Sequence, residues 1–346
     1  MLLSFIIPTY NASETIVRCL NSVYVLPLDP NELEVIVIDD YSNDNTIALV
    51  EKYAIEKNNL TLLRQSANHR QGAARNRGVQ LSKGKYIAYL DSDDEIDYGI
   101  VDAIRFAEQN NLDMVTMHAV HVDELGHQSD HTILDYKENE IFTGVELQTK
   151  YPFWGTGPIF YLYKATFLHH VSYPFEEDVI FEDSDYVNTH LFYAKRMVYS
   201  SICAYKIHYN AKSTVHSMSY KHVSDYFFLG VRMFHLYDKM EDNSYSYAKS
   251  ILEGGSYNVC IAFNRILHLN SFKDIKEVYN RIDSLLDGYN HLTRKKVLSQ
   301  YVQSRHQWNT YYWNPWTRFC LGHSKLASVV IFCVGNVYAL LRKCKK

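Results

Sequence analysis

One short apolar run that ends in a knot of carboxylates constrains this chain more than any other feature. Tyr86–Leu90 carries aromatic and β-branched residues and reads as a buried central strand, and Asp91, Asp93 and Asp94 follow directly. In an open α/β sheet, ligands bind outside the carboxyl ends of the strands. The three acids therefore stand where a ligand would bind. Hard oxygen donors in that position suit Mg2+ or Mn2+ held against substrate phosphates. The plainer alternative is an acidic turn whose aspartates cap the next helix.

The flanking sequence repeats the pattern. Leu3–Ile7 is a β-rich run stopped by Pro8, Thr9, Tyr10 and Asn11. Leu33–Ile38 is a second buried run, and it too ends in acids, Asp39 and Asp40. Leu60–Leu63 makes a third. Helical spacing fills the gaps: Ile16, Leu20 and Val23 on one face, then Thr46–Lys57, then Gln71–Leu81 with Arg75 and Arg77. This alternation predicts a parallel sheet with right-handed crossovers. It continues with a helix near Tyr98–Asn110 and a strand near Asp113–Val120. His118, His121, His127 and His131 then crowd one segment. On a strand His118 and His121 face opposite sides, so a solvated hairpin is expected there, not a metal centre. Beyond about Ser217 the alternation stops, and Ser224–Met240 and Tyr245–Leu269 look helical. The expected organisation is an α/β domain over 1–217 and a mainly helical region over 218–346.

With 47% hydrophobic and 21% charged residues, the 346-residue chain can build a substantial core. Its net charge of −4 argues against a nucleic-acid partner. The six cysteines are scattered and form no C-x-x-C pair, which fits reduced thiols in a cytosolic setting. The apolar start lacks a basic n-region and is cut by Pro8, so it is read as a first strand and not a signal peptide. The 29 tyrosines suit half-polar clefts for sugars and bases, or simply an aromatic-rich core.

If the strand ends adjoin, they converge on one crevice that suits a nucleotide. A carboxylate accepts an N–H from a base, an aromatic ring stacks on it, and a metal takes the diphosphate. Arg75 precedes the acidic strand, where a guanidinium could reach ribose or phosphate, or could stay a surface helix residue. Tyr10 has the equivalent alternative of ordinary loop packing.

The stretches Ile7–Asn11 (IPTYN), Ile38–Thr46 (IDDYSNDNT), Gly72–Gly78 (GAARNRG) and Leu90–Asp94 (LDSDD) resemble, in order and spacing, the family 2 glycosyltransferases. The likeness is strong over residues 1–97 and weaker to about 217. The resemblance implies a GT-A fold: a Rossmann-like, mostly parallel sheet flanked by helices, with a helical C-terminal region here. It also implies a nucleotide-sugar donor (a UDP-sugar first), a divalent cation (Mn2+ or Mg2+) and inverting transfer to a hydroxyl of a glycan or lipid-linked acceptor. By the same resemblance Pro8, Tyr10 and Asp40 surround the base and Arg75 lies near ribose or diphosphate. Asp91-Ser92-Asp93 is the D-x-D segment, where Asp91 and Ser92 contact the nucleotide and Asp93, with Asp91, holds the metal. Asp94 lies close to the donor sugar.

Phe181-Glu182-Asp183 resembles the family's Glu-Asp pair, whose Asp is the catalytic base; Glu182 is the closest rival for that role. Tyr205-Lys206-Ile207-His208, followed by Lys212-Ser213, resembles a Tyr-Arg-x-His…Ser segment. Lys206 replaces the arginine, so a looser contact is expected there. His208 is a further candidate for the metal or the leaving diphosphate, or a packed histidine. Trp154 in the Gly/Pro-punctuated loop and Lys212 complete the candidates.

Two rivals stay open. A nucleotidyltransferase on a similar sheet would carry a glycine-rich, basic loop after the first strand, and Pro8–Ser13 has neither feature. A non-catalytic glycan- or membrane-binding scaffold is disfavoured by the intact Asp91, Asp93 and Asp183. At the other end, Trp308, Tyr311, Tyr312, Trp313 and Trp316 precede the apolar run 327–341 and a basic tail, Arg342, Lys343, Lys345 and Lys346. The run is short for a span. It suits peripheral contact of 308–346 with the cytoplasmic face of a membrane, or a helix on the protein's own core. The expected location is the cytoplasm, at the inner face of the cell membrane.

Overall fold

The computed structural model describes residues 1–130, 140–150, 157–210, 219–240, 246–266 and 271–287, together with 269 and 297. Trp154, Lys212 and the stretch 308–346 lie outside the described residues. The chain divides into two compact units, Met1–Ala211 and Lys212–Lys346.

The first unit begins with β1 (Leu3–Thr9), α1 (Ile16–Tyr24), β2 (Leu33–Asp39), α2 (Thr46–Ala54), β3 (Leu60–Arg64), α3 (Arg70–Leu81) and β4 (Tyr86–Tyr89). After the acids come β5 (Glu95–Ile96), α4 (Gly99–Asn110), β6 (Met114–Thr116), β7 (His118–Val122) and β8 (Gln128–Asp130). Then follow α5 (Gly144–Lys150), β9 (Tyr161–Lys164), α6 (Ala165–Val171), α7 (Glu182–Tyr193), β10 (Met197–Val198) and β11 (Cys203–His208).

Seven strands form the main sheet in the order β10-β6-β9-β4-β1-β2-β3. β1 lies between β2 and β4, parallel to both, with Ile6 opposite Ile36 and Tyr89. Every residue of β1 and β2 is buried, which is why both are mostly apolar; the two polar residues inside them, Ser4 and Glu34, bond to each other. β9 runs antiparallel between β4 and β6. A second sheet, β5-β11-β7-β8, lays β11 against β5 and β7.

Several tyrosines go into the core: Tyr86, Tyr89, Tyr161, Tyr163 and Tyr205 are among the largest fully buried side chains. On β7, His121 is exposed and His118 is half-buried, and β7 pairs with β8 as a hairpin. Some helices differ from the expected ones. α2 ends at Ala54, short of Lys57, and α7 forms over a stretch singled out for its Glu-Asp pair and not for any helical spacing.

The second unit contains α8 (Tyr220–Asp238), α9 (Ser246–Arg265) and α10 (Phe272–Asp287). α8 and α9 approach closely, since a Cβ on Gly230 would stand 2.6 Å from the Gly255 carbonyl oxygen. Arg281 on α10 donates to the buried Asp225 on α8 at 2.7 Å. Among the described residues no helix is long and apolar enough to cross a membrane.

Candidate active site

The carboxyl ends of β1, β2 and β4 adjoin because β1 is central to the three. The loops after β1 and β2 are laced together. The Asp40 amide donates to the Thr9 carbonyl at 2.8 Å, the Asn11 amide to Ser42 Oγ at 2.8 Å, and the Ala12 amide to Thr46 Oγ1 at 2.8 Å. Pro8 is buried in β1, and Tyr10, just beyond it, is exposed. Asp40 is buried, and its Oδ1 accepts from Gln65 Nε2 at 2.7 Å and from the His69 amide at 2.8 Å. Burial pushes its carboxyl upward against those hydrogen bonds. Gln65 and His69 were not foreseen, because nothing in their spacing marks them as partners of Asp40.

Arg75 is no surface residue. It is 2% exposed and forks between two acids: Nη2 donates to Asp91 Oδ1 at 2.8 Å and Nη1 to Glu182 Oε1 at 2.8 Å. Its guanidinium lies 5.4 Å over the Phe175 ring, which itself stacks on Tyr186 at 3.6 Å. Burial opposes the cation, but Asp91, Glu182 and Asp183 together more than offset that and hold it charged. Gly72 lets this helix come close, since a Cβ there would stand 2.5 Å from the Glu176 carbonyl oxygen.

Glu182 and Asp183 open α7, where the helix dipole favours acids. Glu182 turns inward and is buried, while Asp183 is half-buried, its Oδ1 accepting from the Ser184 amide at 2.9 Å. Burial pushes Glu182 up, against the pull of Arg75, and Asp183's charge adds to the rise. Asp183 is also pushed up by burial, opposed by Arg75 and aided by Asp91. Burial sets the direction, and the one guanidinium that opposes it is shared among Asp91, Glu182 and Asp183.

The acidic turn is held from β11. Tyr205 Oη donates to Asp94 Oδ2 at 2.9 Å, and the His208 amide donates to Asp94 Oδ1 at 2.8 Å. Both oxygens of the buried Asp94 are thus engaged within the protein. Asn210 Nδ2 donates to Asp93 Oδ2 at 2.8 Å. Arg18 reaches the Asp93 carbonyl oxygen, and His208 Nε2 meets Glu95. Lys206 pairs with Asp97 through its ammonium at 2.6 Å, a close contact and not a loose one. Ser92 lies half-buried in the turn.

Burial and the charge of Asp91 raise the Asp93 carboxyl. Burial, Asp91 and Asp93 raise Asp94 further. Such crowding is what a divalent cation relieves. Among the described residues no group of three or more His, Cys, Asp and Glu side chains is gathered to hold a metal. Two carboxylates, each with one oxygen taken by a protein donor, nevertheless fit a cation completed by substrate phosphates.

The loops around the crevice are strained. Asn11 (φ 48°), Tyr41 (φ 70°), Arg70 (φ 67°) and Phe181 (φ 70°) are left-handed without being glycine. They sit beside Tyr10, Asp40, α3 and Glu182 respectively. Such residues cost of order 1–3 kcal/mol each and concentrate at functional sites.

Residues 4–169 match the model of glycosyl transferase family 2. The chain is 40% identical over 94 residues, 27% of its length, to the uncharacterized glycosyltransferase YibD of Escherichia coli K12. It is 34% identical over 115 residues, 32% of its length, to the poly(ribitol-phosphate) beta-N-acetylglucosaminyltransferase TarP of Staphylococcus aureus. The aligned stretches span only 26% and 35% of those two proteins. In three dimensions the chain resembles residues 1–349 of S. aureus TarS in complex with UDP-GlcNAc. The TM-score is 0.65 at 18% identity, covering 98% of this chain and 92% of that one, a likeness of fold.

Proposed function

Residues 4–169 are a family 2 glycosyltransferase domain of GT-A type, and on that footing we propose that the chain moves a hexosyl-type sugar from a UDP-sugar to a hydroxyl of a glycan or lipid-linked acceptor, with inversion, in surface polysaccharide synthesis. The observation that carries this reading is the buried guanidinium of Arg75, which ties the acidic turn after β4 to the acid pair that opens α7. Donor-side and acceptor-side chemistry are thereby held across one crevice.

Asp183 is the base. Glu182 is locked inward on Arg75, whereas Asp183 is half-buried beside it. Its raised pKa brings it nearer neutrality, where a general base works best. Pro8, Tyr10 and Asp40 bound the base pocket, with Asp40 offering a carboxylate for an N–H of the base. Arg75 acts mainly by placing Asp91 and Glu182, and Ser92 lies beside the diphosphate. Asp94 stands next to the donor sugar as a fixed member of the turn. Asp91 and Asp93 would hold Mn2+ or Mg2+, which neutralises the leaving diphosphate when bound. His208 is a further candidate ligand: Glu95 holds its Nε2, as a carboxylate commonly orients a ligating histidine. Trp154 and Lys212 remain candidates for donor contacts. Peripheral membrane contact through 308–346, at the inner face of the cell membrane, would serve a lipid-linked acceptor.

The test is a panel of nucleotide sugars with purified protein, scored for nucleoside diphosphate release with and without EDTA. Release from a UDP-sugar that EDTA abolishes and Mn2+ restores is expected. No release from any nucleotide sugar, with or without added glycan acceptor, contradicts the proposal.

A further inference from the structure

The acids of the turn after β4 all find partners on one later segment, Tyr205–Asn210. Tyr205 is wholly buried, and its single hydroxyl serves two ends of the turn: it donates to Asp94 Oδ2 at 2.9 Å and accepts from the Asp91 amide at 3.0 Å. The turn itself is closed by the Asp94 amide on the Asp91 carbonyl at 3.0 Å. Asn210 completes the arrangement by donating to Asp93 Oδ2 at 2.8 Å. The carboxylates of Asp93 and Asp94 are therefore set by neutral donors on this segment, and Asp91 is held to it through its backbone amide while its carboxylate sits on Arg75. Neutral partners fix geometry without cancelling the negative charge that a cation needs.

We propose that Tyr205 and Asn210 are positioning residues that set the affinity of the Asp91–Asp94 turn for a divalent cation. The proposal rests on the reading of that turn as the metal–diphosphate site. Removing the Tyr205 hydroxyl strips the part-buried Asp91 amide and a carboxylate oxygen of the buried Asp94 of partners in one step, so the turn must relax to recover them. Removing the Asn210 amide lets the Asp93 carboxylate rotate. Outer partners of this kind are worth about 10–100-fold in metal affinity. A purely space-filling Tyr205 would leave that affinity alone, because phenylalanine fills the same volume.

The experiment is Mn2+ uptake by the full chain in the presence of UDP, read from the loss of the free-ion electron paramagnetic resonance signal. Tyr205→Phe and Asn210→Ala are compared with wild type and with Tyr86→Phe, which removes a buried hydroxyl at the opposite end of β4. The first two should bind Mn2+ at least about 10-fold more weakly, and Tyr86→Phe should match wild type. If Tyr205→Phe does not fold, Asn210→Ala decides alone. Uptake by both variants equal to wild type, or an equal loss in Tyr86→Phe, overturns the positioning role and leaves the metal reading standing. A wild-type chain that takes up no Mn2+ with UDP overturns both.

Discussion

Asp91 and Glu182 share one buried guanidinium: Arg75 gives Nη2 to the first and Nη1 to the second, each at 2.8 Å. A residue on α3 thereby fixes the distance between the end of β4 and the start of α7. The arrangement has a clear energetic signature. Arg75 and Glu182 are nearly inaccessible, with side-chain exposures of 3% and 0%. Breaking such a pair by removing one partner leaves a buried charge uncompensated and costs about 3–5 kcal/mol. Arg75→Ala should lose that much in urea denaturation. Arg75→Lys restores the charge but not the fork, so it should recover only part of the stability. Wild-type stability in Arg75→Ala would show that the two acids are held by something else.

His190 makes stability depend on pH. It is buried among Tyr163, Phe167 and Tyr186, and its Nδ1 lies 2.8 Å from the Tyr186 carbonyl oxygen. Burial pushes it down from 6.5 to about 4. The unfolded chain therefore takes up this proton before the folded one does. The contribution is complete above pH 6.5 and is lost as pH falls through 4. At about 1.4 kcal/mol per pKa unit, the loss approaches about 3 kcal/mol. His190→Phe should flatten the wild-type slope over that window in urea titrations. Parallel slopes would assign the acid sensitivity elsewhere.

Gly72 tests the approach of α3 to the loop before α7. A Cβ there would stand 2.5 Å from the Glu176 carbonyl oxygen and 3.1 Å from Glu182 Cγ. Backbone oxygen cannot swing aside as a flexible side chain can. Gly72→Ala should cost about 1–3 kcal/mol and lower transfer together with it, by displacing Glu182 and Asp183. Unchanged melting and unchanged transfer would mean that the loop yields freely.

The parts of the fold written in local pattern were legible. β1, β2 and β4 are buried runs, and their alternation with helices implied a parallel sheet; β1 continues through Pro8, where the run was expected to stop, as far as Thr9. β9 was not legible: Tyr161–Lys164 is four residues long and gains its place only by pairing with β4 and β6. The second sheet was hidden for the same reason, since β11 meets β5 and β7 from far along the chain. At the site, the acids announced themselves, but their partners did not. A tyrosine such as Tyr205 looks like any core residue until Asp91 and Asp94 are seen at its hydroxyl. Arg75 was marked by its motif, yet its burial between two carboxylates depends on α7, whose left-handed entry at Phe181 no helix signal announces.

The most direct test of the account is Asp183→Asn, with UDP affinity measured by calorimetry and sugar transfer by product assay on the same preparation. The substitution keeps shape and removes basicity. Asp40 and the Asp91–Asp93 turn, which hold the nucleotide in this account, are untouched. Transfer should fall by at least about 10²-fold, the lower end of what general-base help supplies, while UDP affinity stays at the wild-type value. Glu182→Gln serves as the paired control for the neighbouring acid. Normal transfer by Asp183→Asn, or a loss of UDP binding equal to its loss of rate, would contradict the assignment of Asp183 as the base.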